Sequence, residues 1–201
     1  DKYISYTKYH PSEARLLSQP TAGAPGGWCL SHETAAPLNL RFAETRNIAT
    51  DGSYATGHAG SGFYVLRTGE SKSFFFLNGP QDVGRAELIA LREAVAWAGS
   101  EGEGEWHIFL DSSATLCMMR SFLREPLRAL TNPFWTELRD IVLGAIANNL
   151  SLRLWKVRSH TDIAINDKAD SAAERGRLAQ MAFCKNDPQE CEEFLDVLQV
   201  P

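Results

Sequence analysis

The period of the apolar positions changes several times along this chain, and the changes divide it. Residues 1–45 hold neither a helical nor a strand period: Tyr3, Tyr6 and Tyr9 precede a Pro/Gly-rich stretch at residues 20–27, a composition that predicts an arm or linker. From Asn47 the pattern sharpens. Residues 47–51, 61–67 and 71–77 read as strands, and the Gly-containing connections at 57–60 and 68–70 predict consecutive hairpins. A helix over residues 85–98 follows, with Leu88, Leu91, Val95 and Ala98 at helical spacing and Gly99 as its stop. Residues 106–111 form an apolar run that predicts a buried strand, and residues 114–123 a helix. Pro126 ends that segment. Residues 131–133 open a further helix to Asn148, with Pro133 suited to its first turn. Residues 151–158 alternate apolar and basic as a strand, and residues 166–180 are helical with Ala169, Ala172, Ala173 and Leu178 as the packing face.

The resulting order is β-β-β-α-β-α-α-β-α. Strands reached through helical crossovers lie parallel to the first, so the pattern predicts an α/β fold: a mixed five-stranded sheet, its first three strands antiparallel and the rest parallel to strand 1, with helices on both faces. In such sheets reactive groups collect beyond the carboxyl ends of the parallel strands. Three segments are expected: an arm at 1–45, the domain at 46–180, and an acidic C-terminal tail at 181–201.

Charge changes this picture little. The formal charge of −5 is unfavourable for nucleic-acid binding, but the chain after Lys185 carries Asp187, Glu190, Glu192, Glu193 and Asp196 and no base. Without them 20 acids face 20 bases, and a site that binds cations through several carboxylates leaves the remaining surface mildly basic. Cys29, Cys117, Cys184 and Cys191 are scattered, with no pair at zinc or disulfide spacing, so an intracellular, reducing setting is expected. No apolar run reaches membrane-spanning length and no leader opens the chain. The first residue is Asp, which reads as a piece of something longer.

Four acids carry the chemistry: Asp51, Glu87, Asp111 and Asp170, each at the junction or start of a separate element. Singly each has an ordinary reading. Asp51-Gly52 suits a turn, Glu87 a helix-dipole partner, Asp111-Ser112 an N-cap, and Asp170 a solvated helix face. Together they converge on one end of one sheet, and carboxylates gathered there repel and lose hydration unless a cation neutralises them. The pattern predicts a two-metal phosphoryl-transfer site.

The series Thr50-Asp51-Gly52-Ser53, Arg85-Ala86-Glu87-Leu88, Leu110-Asp111-Ser112 and Ser159-His160-Thr161, with Asp170 ten residues after His160, resembles ribonuclease H of the type 1 class. In detail residues 156–160 and 166–170 look like the ribonuclease H domains of retrotransposon polyproteins. The resemblance covers about residues 46–180. It implies an endonuclease that hydrolyses the RNA strand of RNA/DNA hybrids with two Mg²⁺ ions, Mn²⁺ substituting. By match to the motifs, Asp51 would bridge both metals, Glu87 and Asp111 would help hold one, and Asp170 the other. His160 would move a proton or help release product. Hard carboxylate oxygens suit Mg²⁺, and two ions stabilise both the entering and the leaving oxygen of an in-line displacement.

Substrate contacts are expected from Gly52, Ser53, Ser112, Ser113 and Arg85, with the run Gly60-Ser61-Gly62 letting backbone approach the RNA strand and its 2′-hydroxyls. Two departures stand out. Gly84 occupies the place where many members carry an Asn that touches the hybrid. From Leu123 through Pro133 the chain offers Arg124, Arg128 and two prolines, Pro126 and Pro133, where bacterial-type members insert a basic helix. The trimmed form resembles retroelement domains that borrow affinity from an attached reverse-transcriptase polymerase. The rival reading is a catalytically retired fold serving as a structural or RNA-binding module. A proofreading exonuclease of the same superfamily is disfavoured, because its first strand should carry Asp-x-Glu and this one carries Asp51-Gly52-Ser53.

Overall fold

The computed structural model describes residues 28–31, 46–157 and 164–201. Seven strands among them form one sheet in the order β1-β6-β5-β2-β3-β4-β7. They are β1 (Trp28–Ser31), β2 (Asn47–Ala55), β3 (His58–Val65), β4 (Ser71–Phe75), β5 (Gly104–Leu110), β6 (Leu150–Lys156) and β7 (Leu198–Gln199). The helices are α1 (Val83–Ser100), α2 (Ser113–Arg124), α3 (Trp135–Ala147), α4 (Ala164–Lys185) and α5 (Pro188–Glu192), with a 3₁₀ turn at Arg128–Thr131. The five central strands follow the expected mixed pattern. β2, β3 and β4 are antiparallel neighbours, and β5 and β6 run parallel to β2.

Period-2 alternation gives each strand two different faces. Ile48, Phe63, Trp106, Ile108 and Leu110 point into the main core with Leu88, Leu91 and Val95 of α1 and Leu138 and Ile141 of α3. Ala49 and Phe109 point the opposite way, against Ile165 and Ala169 of α4. Each of the large side chains removed from water there contributes roughly 1.5–3 kcal/mol.

Three details differ from the pattern in the sequence. The first hairpin is tighter than the glycines at 57–60 suggest: β2 runs on to Ala55, which pairs with His58, and Thr56 and Gly57 alone make the turn, with φ of 52° and 82°. Positive φ at both central residues matches the right-handed twist of the flanking strands, and only Gly takes it without strain. The third helix begins at Trp135, because residues 128–131 form a separate 3₁₀ turn and Asn132 Oδ1 accepts the Phe134 N–H at 2.8 Å.

The sheet also gains an edge strand on each side. Within the expected arm, Trp28–Ser31 pairs parallel to β6, from Trp28 with Leu152 to Ser31 with Trp155. At the other edge, β7 pairs parallel to β4 and Val200 N–H donates to the Phe75 carbonyl at 2.9 Å. The acids beyond residue 181 take structural work here. Asp187 caps α5 through the amides of Gln189 and Glu190, Glu190 pairs with Lys185, and Asp196 pairs with Arg175, whose guanidinium lies over the Phe194 ring. Covering β4 removes an open row of backbone donors and acceptors.

Candidate active site

β2 pairs with β5 only from Asn47 with His107 to Ala49 with Phe109, and then continues alongside β3 alone. Asp51 therefore sits just past the end of the parallel pairing although it is in mid-strand. Asp111 follows the last residue of β5, and alternation sets it on the same side as Phe109. Ser112 then caps α2, its Oγ accepting the Thr115 N–H at 3.1 Å, and Ser113 is the first helical residue.

Glu87 arrives from α1. Asp82 caps that helix by accepting the Arg85 N–H at 3.2 Å, which sets Glu87 in its second turn. The approach is possible because residue 52 is Gly: a Cβ there would lie 2.6 Å from Glu87 N and 2.9 Å from Ala86 C. Gly52, expected at the substrate, is thus what lets α1 bring Glu87 beside Asp51.

Carboxylate oxygens of Asp51, Glu87 and Asp111 all lie within 4.8 Å of one another. Asp51 and Glu87 are both buried. Gly52 N–H donates to Asp51 Oδ1 at 2.9 Å, whereas Glu87 Oε2 is buried with no hydrogen-bond partner. Burial, and next the Asp111 charge, push the Asp51 carboxyl up to about 7, with a further upward contribution from Asp170. Glu87 is raised well above the usual carboxylate range, first by burial and then by the charges of Asp51 and Asp111. Near neutrality the cation-free cluster therefore retains a proton.

This donor set fits a hard divalent cation. It presents acceptor-only oxygens, one of them buried and unsatisfied, in a pocket whose electrostatics disfavour full ionisation without a positive charge. Asp170 lies on the exposed side of α4, outside the three-residue cluster, yet close enough for its charge to act on Asp51. His160 lies outside the described residues.

Arg85 is placed differently from its expected substrate contact. It is buried; Nε donates to Glu137 Oε1 at 2.9 Å, Nη1 donates to the Asn78 carbonyl, and the guanidinium stacks over the Phe76 ring at 4.6 Å. Its Nε and Nη1 donors are thus engaged inside the fold. Both side chains of the ion pair are 9% exposed, so Arg85→Ala, which strands the Glu137 carboxylate, should cost roughly 3–5 kcal/mol in urea unfolding. A loss below about 1 kcal/mol would mean the pair behaves like one at the surface.

The run Gly60-Ser61-Gly62 also faces inward. Gly60 and Gly62 lie under α4, and Ser61 Oγ donates to the Ala86 carbonyl at 2.7 Å, so the three residues admit helices on both faces. Ser53 is half-buried, and its Oγ donates to Glu174 Oε2 at 2.7 Å. Glu174 escaped the reading of the sequence. Its signal was its place one helical turn after Asp170, which puts both acids on one face of α4.

A solved structure of RNase H1 from the halophilic archaeon Halobacterium salinarum NRC-1 is similar at 18% identity, with a TM-score of 0.45, over 65% of this chain and 96% of that one. No curated protein matches. The family model described as RNase H matches residues 43–177, a span that contains β2 to β6 and all three clustered acids. The chain belongs to the RNase H family.

Proposed function

We propose that this chain is an endoribonuclease that hydrolyses the RNA strand of RNA/DNA hybrids by two-metal-ion catalysis, as part of a retroelement reverse transcriptase. The observation that carries the reading is the convergence of Asp51, Glu87 and Asp111, with Glu87 Oε2 buried and unsatisfied. A scaffold gains nothing from buried, mutually repelling carboxylates.

Asp51, Glu87 and Asp111 would hold one Mg²⁺ or Mn²⁺, and Asp51 with Asp170 a second. When bound, the two ions supply a deprotonated water and stabilise charge on the leaving oxygen. The chain's own residues do the positioning. Gly52 keeps Glu87 against Asp51, the Ser112 cap fixes the backbone after Asp111, and α4 presents Asp170 on the side of Asp51. His160 would take or deliver the proton, as a side chain whose ordinary pKa of ~6.5 lets it do both near neutrality. The retroelement context is supported by residues 156–160 and 166–170 and by the short 3₁₀ turn that replaces a basic helix between α2 and α3. Arg124 and Arg128 as the only bases from Leu123 through Pro133 imply weak binding by the isolated domain and a grip supplied by an attached polymerase.

The test is cleavage of labelled RNA annealed to DNA, in Mg²⁺, Mn²⁺ or EDTA, with duplex RNA and duplex DNA of the same sequence as controls. Hybrid-only, metal-dependent cutting is expected, reduced at least about 100-fold in Asp111→Asn because metal contacts to developing charge are worth several kcal/mol. A bound hybrid left uncut under both metals would instead mark a retired binding module.

A further inference from the structure

Beside the acidic cluster, on the face of the sheet that α4 covers, lies a small polar relay. Ser53 follows Asp51 by two residues on β2, about 7 Å along the strand and on the same face. Its Oγ donates to Glu174 Oε2 at 2.7 Å. Arg177 holds that carboxylate from the other side: Nε donates to Glu174 Oε2 at 3.0 Å and Nη2 to Oε1. Ser53 is only half-buried, so part of it still faces solvent.

The geometry points to Glu174 as a positioning residue that fixes the Ser53 hydroxyl as a hydrogen-bond acceptor, so that this position takes a donor group of the substrate, the ribose 2′-hydroxyl, and rejects groups that only accept. The inference rests on the substrate being an RNA/DNA hybrid. A serine hydroxyl has one proton and two lone pairs, and an ionised carboxylate has no proton to give. The Arg177 guanidinium, followed by the Ser53 hydroxyl, holds Glu174 below the usual carboxylate range. The proton in the Ser53–Glu174 bond is therefore the serine's, and only lone pairs remain for a ligand. Phosphate oxygens accept and do not donate, and the Glu174 charge repels them. A 2′-hydroxyl donates, whereas the deoxyribose of a DNA strand offers nothing at that atom.

The experiment compares cleavage of an all-ribose RNA strand in a hybrid with strands carrying one 2′-fluoro nucleotide at successive positions around the cut. Fluorine keeps the size of the group but has no proton. In the wild type one position should show a penalty of about fivefold to tenfold in kcat/KM, the share of one hydrogen bond at a partly exposed site. In Glu174→Ala the Ser53 hydroxyl loses its fixed orientation and its lone pairs no longer face the ligand, so the 2′-hydroxyl gains little over fluorine there and the penalty at that position should shrink to within about twofold. Glu174→Gln, which keeps a carbonyl acceptor, should retain it. Ser53→Ala should abolish it, and Ser53→Ala/Glu174→Ala should match Ser53→Ala alone, with unchanged thermal unfolding showing that each variant is folded. A wild type indifferent to fluorine, or a penalty unchanged by Glu174→Ala, overturns the inference while leaving hybrid cleavage intact. Failure to cut the all-ribose hybrid at saturating concentration overturns the functional reading and this inference with it.

Discussion

Asp51→Asn is expected to lose at least about 1,000-fold in the rate of the proposed hybrid cleavage, yet in EDTA at pH 8 it should unfold at a higher temperature than the wild type. Both effects follow from one cause. Asp51 is buried beside Glu87 and within reach of the charges of Asp111 and Asp170, and its carboxyl is pushed up to about 7. Its folded value exceeds the unfolded one, so the native state holds a proton that the unfolded chain has released. Through Asp51 the stability of the metal-free protein therefore falls as pH rises between about 4 and 7. A shift of that size corresponds to roughly 4 kcal/mol at its upper limit, some of it shared with Glu87. Asn carries no charge to repel, which at pH 8 should recover roughly 2–4 kcal/mol, or about 5–10 °C in the unfolding midpoint for a domain of this size. At pH 4.5 the two proteins should melt nearly together. On the proposed two-metal reading Mg²⁺ should reverse the order, because a cation bound to the native cluster would stabilise the wild type by mass action and would lose Asp51 as a ligand in the variant. An Asp51→Asn protein less stable than the wild type in EDTA at pH 8 would show that the cluster is held by hydrogen bonds rather than strained by repulsion.

What the sequence revealed, and what it hid, follows the range of the physics involved. The helix at 85–98 and the strand at 106–111 were legible because local period alone defines them. Their apolar residues form the main core as expected, with Leu88, Leu91, Val95 and Ala98 all buried. The convergence of Asp51, Glu87 and Asp111 was legible because topology brings the ends of parallel strands together. Partners chosen by tertiary contact were not. Arg85 looked available for substrate, and only the fold shows Glu137, 52 residues away, holding it. β1 and β7 are short edge strands with too few residues to show a period, and pairing across more than a hundred residues recruits them. Leu178 was expected on the packing face of α4 and is 38% exposed. The buried stripe runs instead through Ala169, Ala172, Ala173, Gly176 and Ala179, because the helix lies too close to the sheet for a leucine.

That close approach sets the second large effect. Gly60→Ala should fail to fold or lose at least about 3 kcal/mol, beyond the usual cost of adding one methyl group to a core. A Cβ at residue 60 would fall 2.0 Å from Arg177 N, 2.4 Å from Gly176 C and 2.6 Å from the Ala173 carbonyl oxygen. All three are backbone atoms of α4, so no rotamer change gives relief. Neighbouring contacts are as tight: a Cβ at Gly62 would meet Ala173 N at 2.4 Å, and one at Gly176 would meet the Phe74 carbonyl oxygen at 2.2 Å. The methyl group can be accommodated only by lifting α4, the helix that carries Asp170 beside Asp51 and Glu174 beside Ser53. Any folded fraction should therefore lose the proposed catalytic rate as well as stability, and added Mn²⁺ should not restore it, since Asp170, the proposed ligand, would be displaced rather than weakened. Gly57→Ala is the matched control. Its turn position has positive φ but nothing within 4 Å of the added atom, so the expected cost is about 1 kcal/mol of backbone strain with activity kept. Urea unfolding of the two variants separates the causes. A Gly60→Ala protein within about 1 kcal/mol of wild type and fully active would show that α4 stands further from β3 than these distances allow, and that the position of Asp170 relative to the cluster does not depend on the glycine face of the strand.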